Sequence, residues 1–465
     1  MIRSVTYNAS IRMSFRPATA FEFGKRQLRR VFGSREGIRL VKGGLWVLAS
    51  SLTTAVVGLV SIRVFTELVA KDIFGEASLF LGLLVLGTNV FISPFTSAQI
   101  RFHSEYVLAG KSQWFTREIG RVTWVASVLL GVLLVLGIVG WGIFRGHPVE
   151  VLIAFFLVTL LFLNTQRNLR ISRLNAERRQ AQYAIWSAGE AVLVAVCTAL
   201  ALWLWTSVGG FLLGQLTGIA IALGIFGWAL YPRHHEQESV GDSTAQDRLL
   251  LIRKALAYGV PFIPLAVLSW ASNLGDRYIL AGMVDSAAVG QYAAVFTIAS
   301  RPVLMIASVL GDNLRPAMFD AVNASNPVKV SLIFRGWVIM TLFIGAGILL
   351  GYWVAGDWII QLLLASEYRQ GAFSIMMWVV FGYVAYSLIL VFENRLLALE
   401  QSRRLILPQF AGAVVNVLLS IILIPKTGIV GAAQANAASF CAQLGVTAIV
   451  LVIVLNKHKR QSQPI

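Results

Sequence analysis

Along this chain, apolar runs of about 20 residues alternate with short polar breaks, and a helix of that length crosses a hydrocarbon core roughly 30 Å thick. The runs fall at 44–68, 75–98, 122–144, 149–166, 182–206, 208–231, 257–282, 287–313, 330–355, 371–396, 404–424 and 428–455. They predict an all-α polytopic membrane protein with 12 transmembrane helices. Taken in order, the spans put the first 43 residues, the connections after spans 2, 4, 6, 8 and 10, and the C-terminus on one face. The longest connection there, YPRHHEQESVGDSTAQDRLLLIRK at 231–254, divides the spans into six and six. The boundaries that follow are a basic tail at 1–43, a six-helix bundle at 44–231, a linker at 232–256, a second six-helix bundle at 257–455 and a C-terminal tail at 456–465.

The two bundles read as a duplication. Span 1 continues as IRVFTELVAKDIFGEASLFL and span 7 as DRYILAGMVDSAAVGQYAAVF. At a shift of 214 residues Arg63 falls on Arg277 and Arg101 on Arg315, and at 215 Gly75 falls on Gly290. Each of these glycines follows a short hinge and opens a helix. Two six-helix repeats lie parallel, related by an axis along the membrane normal, with a central cavity between them.

Charge fixes the orientation. Of 39 Lys and Arg residues, Arg63, Lys71, Arg145, Arg277, Arg369 and Lys426 lie at one face or its adjoining helix ends, and the other 33 lie on the face that carries the termini. Such a bias places both termini in the cytoplasm. Composition agrees with the membrane reading: 57% of the 465 residues are hydrophobic, 13% are charged, and the mean hydropathy is +0.73. The formal charge of +17 is then a topology signal and not a nucleic-acid footprint. The first 43 residues lack the apolar core of a cleaved secretory signal. Two readings stay open for their RQLRRVFGSREGIRL segment, an amphipathic helix on an anionic leaflet or a disordered positive flank.

Cys197 and Cys441 lie inside apolar runs, and His103, His147, His234, His235 and His458 lie in connections or the tail. Neither a metal centre nor a cofactor is expected. The connections on the face opposite the termini are short, the longest being AGDWIIQLLLASEYRQG at 355–371, which is a poor platform for catalysis. A transporter is expected, not an enzyme.

The chemistry lies in polar residues inside the spans, because a charge at the bilayer centre costs about 2.5–3.5 kcal/mol on insertion scales and normally faces protein or water. In span 7, Ser269, Ser272, Asn273, Asp276 and Arg277 recur at three- and four-residue steps on one wet helical face, and Pro261 and Pro264 should bend the helix. Arg277 either faces a cavity or snorkels outward with Asp276 beside it. Arg63, with Glu67 four residues on, is either functional or an interfacial ion pair. Arg101 and Arg315 are either positive anchors or the rim of a vestibule for an anion, with Asp312 and Arg315 read as a pair. Arg301, in the middle of span 8 ahead of Pro302, should face the cleft. Among acidic residues, Glu190 either couples an ion or hydrogen-bonds locally, and Glu393 either couples an ion or pairs with Arg395. The stretch PKTGIVGAAQANAASF reads as close helix packing, with Gln434 and Asn436 as cavity polar groups.

The segments GDRYILAGMVDSAAVGQYAAVFTIASRP, FGEASLFLGLLVLGTNVFISPFTSAQIRF, LLLASEYRQGAFSIMMW and IPKTGIVGAAQANAAS, in this order and spacing, are similar to the polysaccharide transporter family. These are the O-antigen and oligosaccharide flippases of the multidrug/oligosaccharidyl-lipid/polysaccharide superfamily, and the likeness spans roughly residues 40–455. The resemblance implies two six-helix bundles rocking about a cationic cavity in the bacterial inner membrane. It implies a polyprenyl-pyrophosphate-linked sugar as substrate, membrane lipid as surroundings, and a polysaccharide polymerase and chain-length proteins as partners. Asp276 and Arg277 match the family's DR position, and Gly290 and Tyr292 its vGxYa turn. The long basic tail departs from the pattern. The substrate-binding candidates are Arg63, Arg101, Asn273, Arg277, Arg301 and Arg315, and the ion-coupling candidates are Asp276, Glu190 and Glu393. A multidrug-type cation antiporter of the same fold and a non-transporting scaffold stay open as alternatives.

Overall fold

The computed structural model describes residues 35–145, 151–230, 245–324 and 326–461, and among them it is helical apart from short turns. The α-helices are α1 (Arg35–Leu68), α2 (Lys71–Phe91), α3 (Ser93–Leu108), α4 (Ser112–Arg145), α5 (Val151–Ala176), α6 (Gln180–Leu204) and α7 (Val208–Ala229) in the first half. The second half has α8 (Ala245–Gly259), α9 (Phe262–Met283), α10 (Ser286–Asn323), α11 (Pro327–Leu363), α12 (Ala372–Ala398), α13 (Ile406–Thr427) and α14 (Ile429–Gln461). Eleven of these are long and apolar enough to cross a bilayer, and the pair α8 and α9, bent by 41°, makes a twelfth span. The chain is a multi-pass membrane protein. The helix ends near Leu68, Met283 and Leu363 lie at what we term the far face, and those near Leu108 and Asn323 at the basic face.

Several helices overrun their apolar runs. α4 begins at Ser112 where the run begins at 122, and α5 continues to Ala176 past 166. Outside the hydrocarbon a helix carries on with polar or amphipathic turns that a hydropathy run does not register. The second span is a correction: it is two helices broken at Ile92, with Pro94 in the first turn of α3, where its missing N–H leaves no bond unmade. The expected bend of the seventh span is present, between Gly259 and Phe262. Residues 1–34, most of the basic tail, and 231–244 of the polar connection lie outside the described residues, as do His147, His234 and His235.

Element ends recur 215 residues apart: Leu68 and Met283 close α1 and α9, Lys71 and Ser286 open α2 and α10, Leu108 and Asn323 close α3 and α10, and Ser112 and Pro327 open α4 and α11. In this register Arg63 matches Tyr278, so Arg63 and Arg277 are not equivalent positions. The copies also differ. α10 runs unbroken through Pro302, where the carbonyl of Ile298, deprived of its helical partner, accepts the Tyr352 hydroxyl of α11 at 2.9 Å. Within each half α1 packs on α6, α6 on α7, α12 on α14 and α13 on α14; between halves α2 packs on α10. One buried apolar cluster runs across this join, with Ile62, Phe65 and Phe74 from the first half and Tyr292, Phe296 and Phe440 from the second.

Candidate functional site

The join between the halves is built on two glycines. A β-carbon at Gly75 would collide with the Ser286 carbonyl oxygen, and one at Gly290 with the Lys71 carbonyl oxygen. Both pairs obey the 215-residue relation, so a local two-fold axis passes between Gly75 and Gly290 and lets two backbones touch. Close by, the far face is fastened. Arg63 donates to the Leu364 carbonyl and pairs with Glu67 at 2.6 Å, and Thr66 Oγ1 accepts from the Ala365 N–H at 3.2 Å. Tyr368 donates to the Val69 carbonyl at 3.0 Å, and Gln291 donates to the carbonyls of Tyr368 and Gln370. Burial, with Glu367 and Asp72 adding to it, raises the Tyr368 hydroxyl above its ordinary pKa, so it remains a donor. On the α9 side, Tyr278 donates to the Leu79 carbonyl at 2.7 Å and Trp270 to the Gly82 carbonyl at 2.9 Å.

Arg301 sits deeper. It leaves α10 and reaches the other half, donating to the Thr54 carbonyl of α1 at 3.3 Å, with its guanidinium against Gly58, where a β-carbon would overlap it. Thr54 and Gly58 lie near the middle of the apolar part of α1, so this cation stands between the halves at mid-membrane depth. On the basic side of this contact, no hydrogen bond or ion pair among the described residues joins α1 to α10.

The polar residues of α9 do not share one wet face, which is a second correction. Asp276 and Ser272 are buried inside the second half. Asp276 accepts the Tyr292 hydroxyl at 2.6 Å and the Arg277 N–H at 2.9 Å, and the Ser272 carbonyl accepts from Asn416 at 3.2 Å and Asn436 at 3.0 Å. Asn273 and Arg277 lie on a half-exposed strip beside them. Asn273 accepts from Tyr383 at 3.2 Å, and the Arg277 guanidinium lies over the Phe296 ring at 4.8 Å, with no ion pair to Asp276. The neighbouring Asp-Arg pair of the sequence is thus two separate devices, because side chains adjacent on a helix point about 100° apart. Behind α9, Ser272 Oγ, Asn416 Oδ1, Ser420 Oγ, Asn436 Oδ1 and the Gln443 amide are buried without a protein partner. Of this group only Ser272 and Asn436 stand out in the sequence; Asn416, Ser420 and Gln443 hide in apolar runs.

Other candidates find different partners from those expected. Glu190 of α6 forms an ion pair with Arg167 of α5 and accepts from Trp186 at 2.9 Å, so its partners are not only local. Glu393 accepts from Gln409 at 3.1 Å and makes no ion pair with Arg395. Asp312 accepts from Ser308 at 3.4 Å and does not pair with Arg315, which is exposed. Arg101 is exposed in the middle of α3, 5.8 Å from the centre of the Phe102 ring. The structure therefore keeps Asn273 and Arg277 on one strip with Asp276 buried behind it, puts Arg301 across the join, and leaves Arg63, Arg101, Arg315, Glu190 and Glu393 apart from them.

At the basic face, α8 lies on the first half. Lys254 bonds Glu105 at 2.6 and 2.8 Å, Arg248 bonds Glu118 at 2.8 Å, and Leu251 and Ala255 are buried with Phe95, Phe102 and Phe115. Beside this contact, α3, α4 and α5 border an open groove of about 730 Å³ lined by Gln99, Arg117, Arg121, Trp124, Gln166 and Arg170 among others. No local pattern in the sequence marks these residues, since each arginine is an ordinary member of the basic bias.

Solved structures resemble this fold, three of them as follows. The lipid II flippase MurJ in an inward closed conformation superposes with a TM-score of 0.67 at 14% identity, covering 88% of this chain and 87% of that one. An inward-facing multidrug resistance MATE family transporter of the MOP superfamily gives 0.65 at 12%, covering 92% and 99%. A Vibrio cholerae MATE transporter variant gives 0.62 at 15%, covering 90% and 97%. At these identities the likeness is one of fold. No curated protein sequence matches the chain. The family model described as "Polysaccharide biosynthesis protein" matches residues 40–322, more than half of the sequence, and the chain belongs to that family.

Proposed function

We propose that this protein is a flippase that moves a polyprenyl-pyrophosphate-linked oligosaccharide from the inner to the outer leaflet of the bacterial inner membrane, for surface polysaccharide biosynthesis. The observation that carries this reading is Arg301, a guanidinium held between the halves at mid-membrane depth. A pyrophosphate crossing a low-dielectric layer needs fixed cations that replace its water, and guanidinium binds phosphate oxygens in pairs. The lipid chain stays in the bilayer while the sugar passes between the halves, and alternating access of two parallel repeats moves it. Membership of a polysaccharide biosynthesis family supports the substrate class.

In this scheme the far-face contacts of Arg63, Thr66 and Tyr368 are those that part when the protein opens outward. Arg277 and Asn273 serve as further headgroup contacts. Asp276, buried and bonded to Tyr292 without a cationic partner in an ion pair, is the group that couples a proton or sodium ion, with Glu393 as the second carboxyl. Glu190 is the weaker coupling candidate, because Arg167 holds it. Both termini lie in the cytoplasm, on the face where the arginines are concentrated.

The test is a leaflet-specific assay in vesicles that contain only this protein and a fluorescent polyprenyl-pyrophosphate oligosaccharide, with and without pH or sodium gradients. Arg301→Ala is expected to slow flipping by about 10–100-fold, as for loss of a charge-assisted contact of about 1.5–3 kcal/mol, and Arg301→Lys to recover part of it. Undiminished flipping in Arg301→Ala would remove the reading. Export of organic cations that depends on Asp276, without lipid movement, would replace it by the antiporter.

A further inference from the structure

We infer that the groove among α3, α4 and α5 at the basic face is a binding site for an anionic phospholipid of that leaflet, separate from the join between the halves. Its head end is cationic. Arg117 and Arg121 stand one turn apart on α4, and Arg170 lines the opposite wall from α5, where it also donates to the Leu223 carbonyl at 3.2 Å. Among the described residues no Asp or Glu lines the groove. Among the described residues Arg117 has no ion pair, and Arg121 must share Glu118 with Arg248 of α8, one carboxylate between two guanidinium groups. Positive charge is thus in surplus. Neutral donors complete the head site: Gln99 commits its amide oxygen to Ser172 at 2.6 Å, which leaves its nitrogen as a donor, and Gln166 stands on the α5 wall.

The other end of the groove is apolar. Trp124 stacks on Phe162 with ring centres 5.2 Å apart and planes 20° from parallel, a flat shelf where the polar lining stops. Beyond it Val125, Leu129, Val132, Leu133 and Leu136 are exposed at the three- and four-residue steps of one helical stripe. The groove volume of about 730 Å³ accommodates a headgroup and the first carbons of a chain. A soluble phosphate would use the arginines and leave the stripe bare, whereas a phospholipid satisfies both parts. Arg301 does not line this groove and meets α1 instead, which argues against the transported molecule as its occupant.

The purified full chain, in detergent and by native mass spectrometry, tests this. Phosphatidylglycerol is expected to remain bound and to raise Tm, phosphatidylcholine to do neither, and inorganic phosphate to leave Tm unchanged. In Arg117→Gln/Arg121→Gln, both exposed positions, phosphatidylglycerol binding falls about tenfold or more. Gln166→Glu, which places a carboxylate among the arginines, weakens it without removing any arginine. Binding of phosphatidylcholine and phosphatidylglycerol alike, unchanged binding in both variants, or a preference for a polyprenyl pyrophosphate over phosphatidylglycerol would overturn the assignment. Flipping activity is not the readout, so the outcome is independent of the transport proposal.

Discussion

The halves meet at both faces, and these two meetings are made of different material. At the far face, the hydroxyl of Tyr368 and the guanidinium of Arg63 each donate to a main-chain carbonyl of the other half, around the touching backbones of Gly75 and Gly290. At the basic face, α8 is held by Lys254–Glu105 and Arg248–Glu118 over a small aromatic cluster. The Lys254 and Glu105 side chains are 38% and 58% exposed, so salt screens that pair, whereas short contacts to buried carbonyls are largely indifferent to it. In the proposed flippase, which must open one side at a time, one closure is set by shape and hydrogen bonding and the other is one that ionic conditions can loosen.

The severest break is at the glycine crossing. Gly290→Val forces a side chain into the Lys71 carbonyl and is expected to cost about 2–3 kcal/mol, seen as a large fall in Tm in detergent. Introduced into a Thr66→Cys/Ala365→Cys protein, it should also abolish the disulfide crosslink that oxidation forms between those two positions across the far face. Tyr368→Phe leaves the Val69 carbonyl without its donor and costs about 1 kcal/mol, at low and high salt alike. By contrast Lys254→Glu should cost no more than about 1 kcal/mol, its effect should shrink in molar salt, and Glu105→Lys in the same chain should restore it. Salt-independent loss in that variant would erase the distinction between the two closures.

The smallest effect is a pH dependence confined to the basic end. Burial holds the His103 pKa below 6.5; Arg173 pushes the same way and Glu177 opposes. The folded chain therefore takes up this proton less readily than the unfolded one, so the contribution of His103 is complete above pH 6.5 and is lost as the pH falls below it. Tm should decline modestly between about pH 7.5 and pH 5.5, and His103→Gln should flatten that part of the profile.

Much of this architecture is legible in the chain. The glycines at 75 and 290 are conspicuous by their repetition, and the structure supplies the reason they repeat: they are the two sides of one contact. Arg301 is conspicuous from its depth alone, and the structure turns it towards the other half. Tyr292 comes with the vGxYa resemblance, and its hydroxyl on Asp276 gives that motif a physical role. The arginine equivalence at a shift of 214 misleads, because helix ends keep a 215 register, and one residue of slip turns a side chain by about 100°.

The number of spans and the face that carries the basic residues are properties of single segments, since hydrocarbon thickness selects for run length and the leaflet asymmetry for charge. Those the sequence determined unaided. Partnership was decided only in three dimensions: Arg167 took Glu190, Gln409 took Glu393, Tyr292 took Asp276, and three unremarkable arginines became one groove. A charge inside protein is governed by what stands within a few ångströms of it, and in a helical bundle those neighbours come from other helices whose rotation and depth no local pattern records.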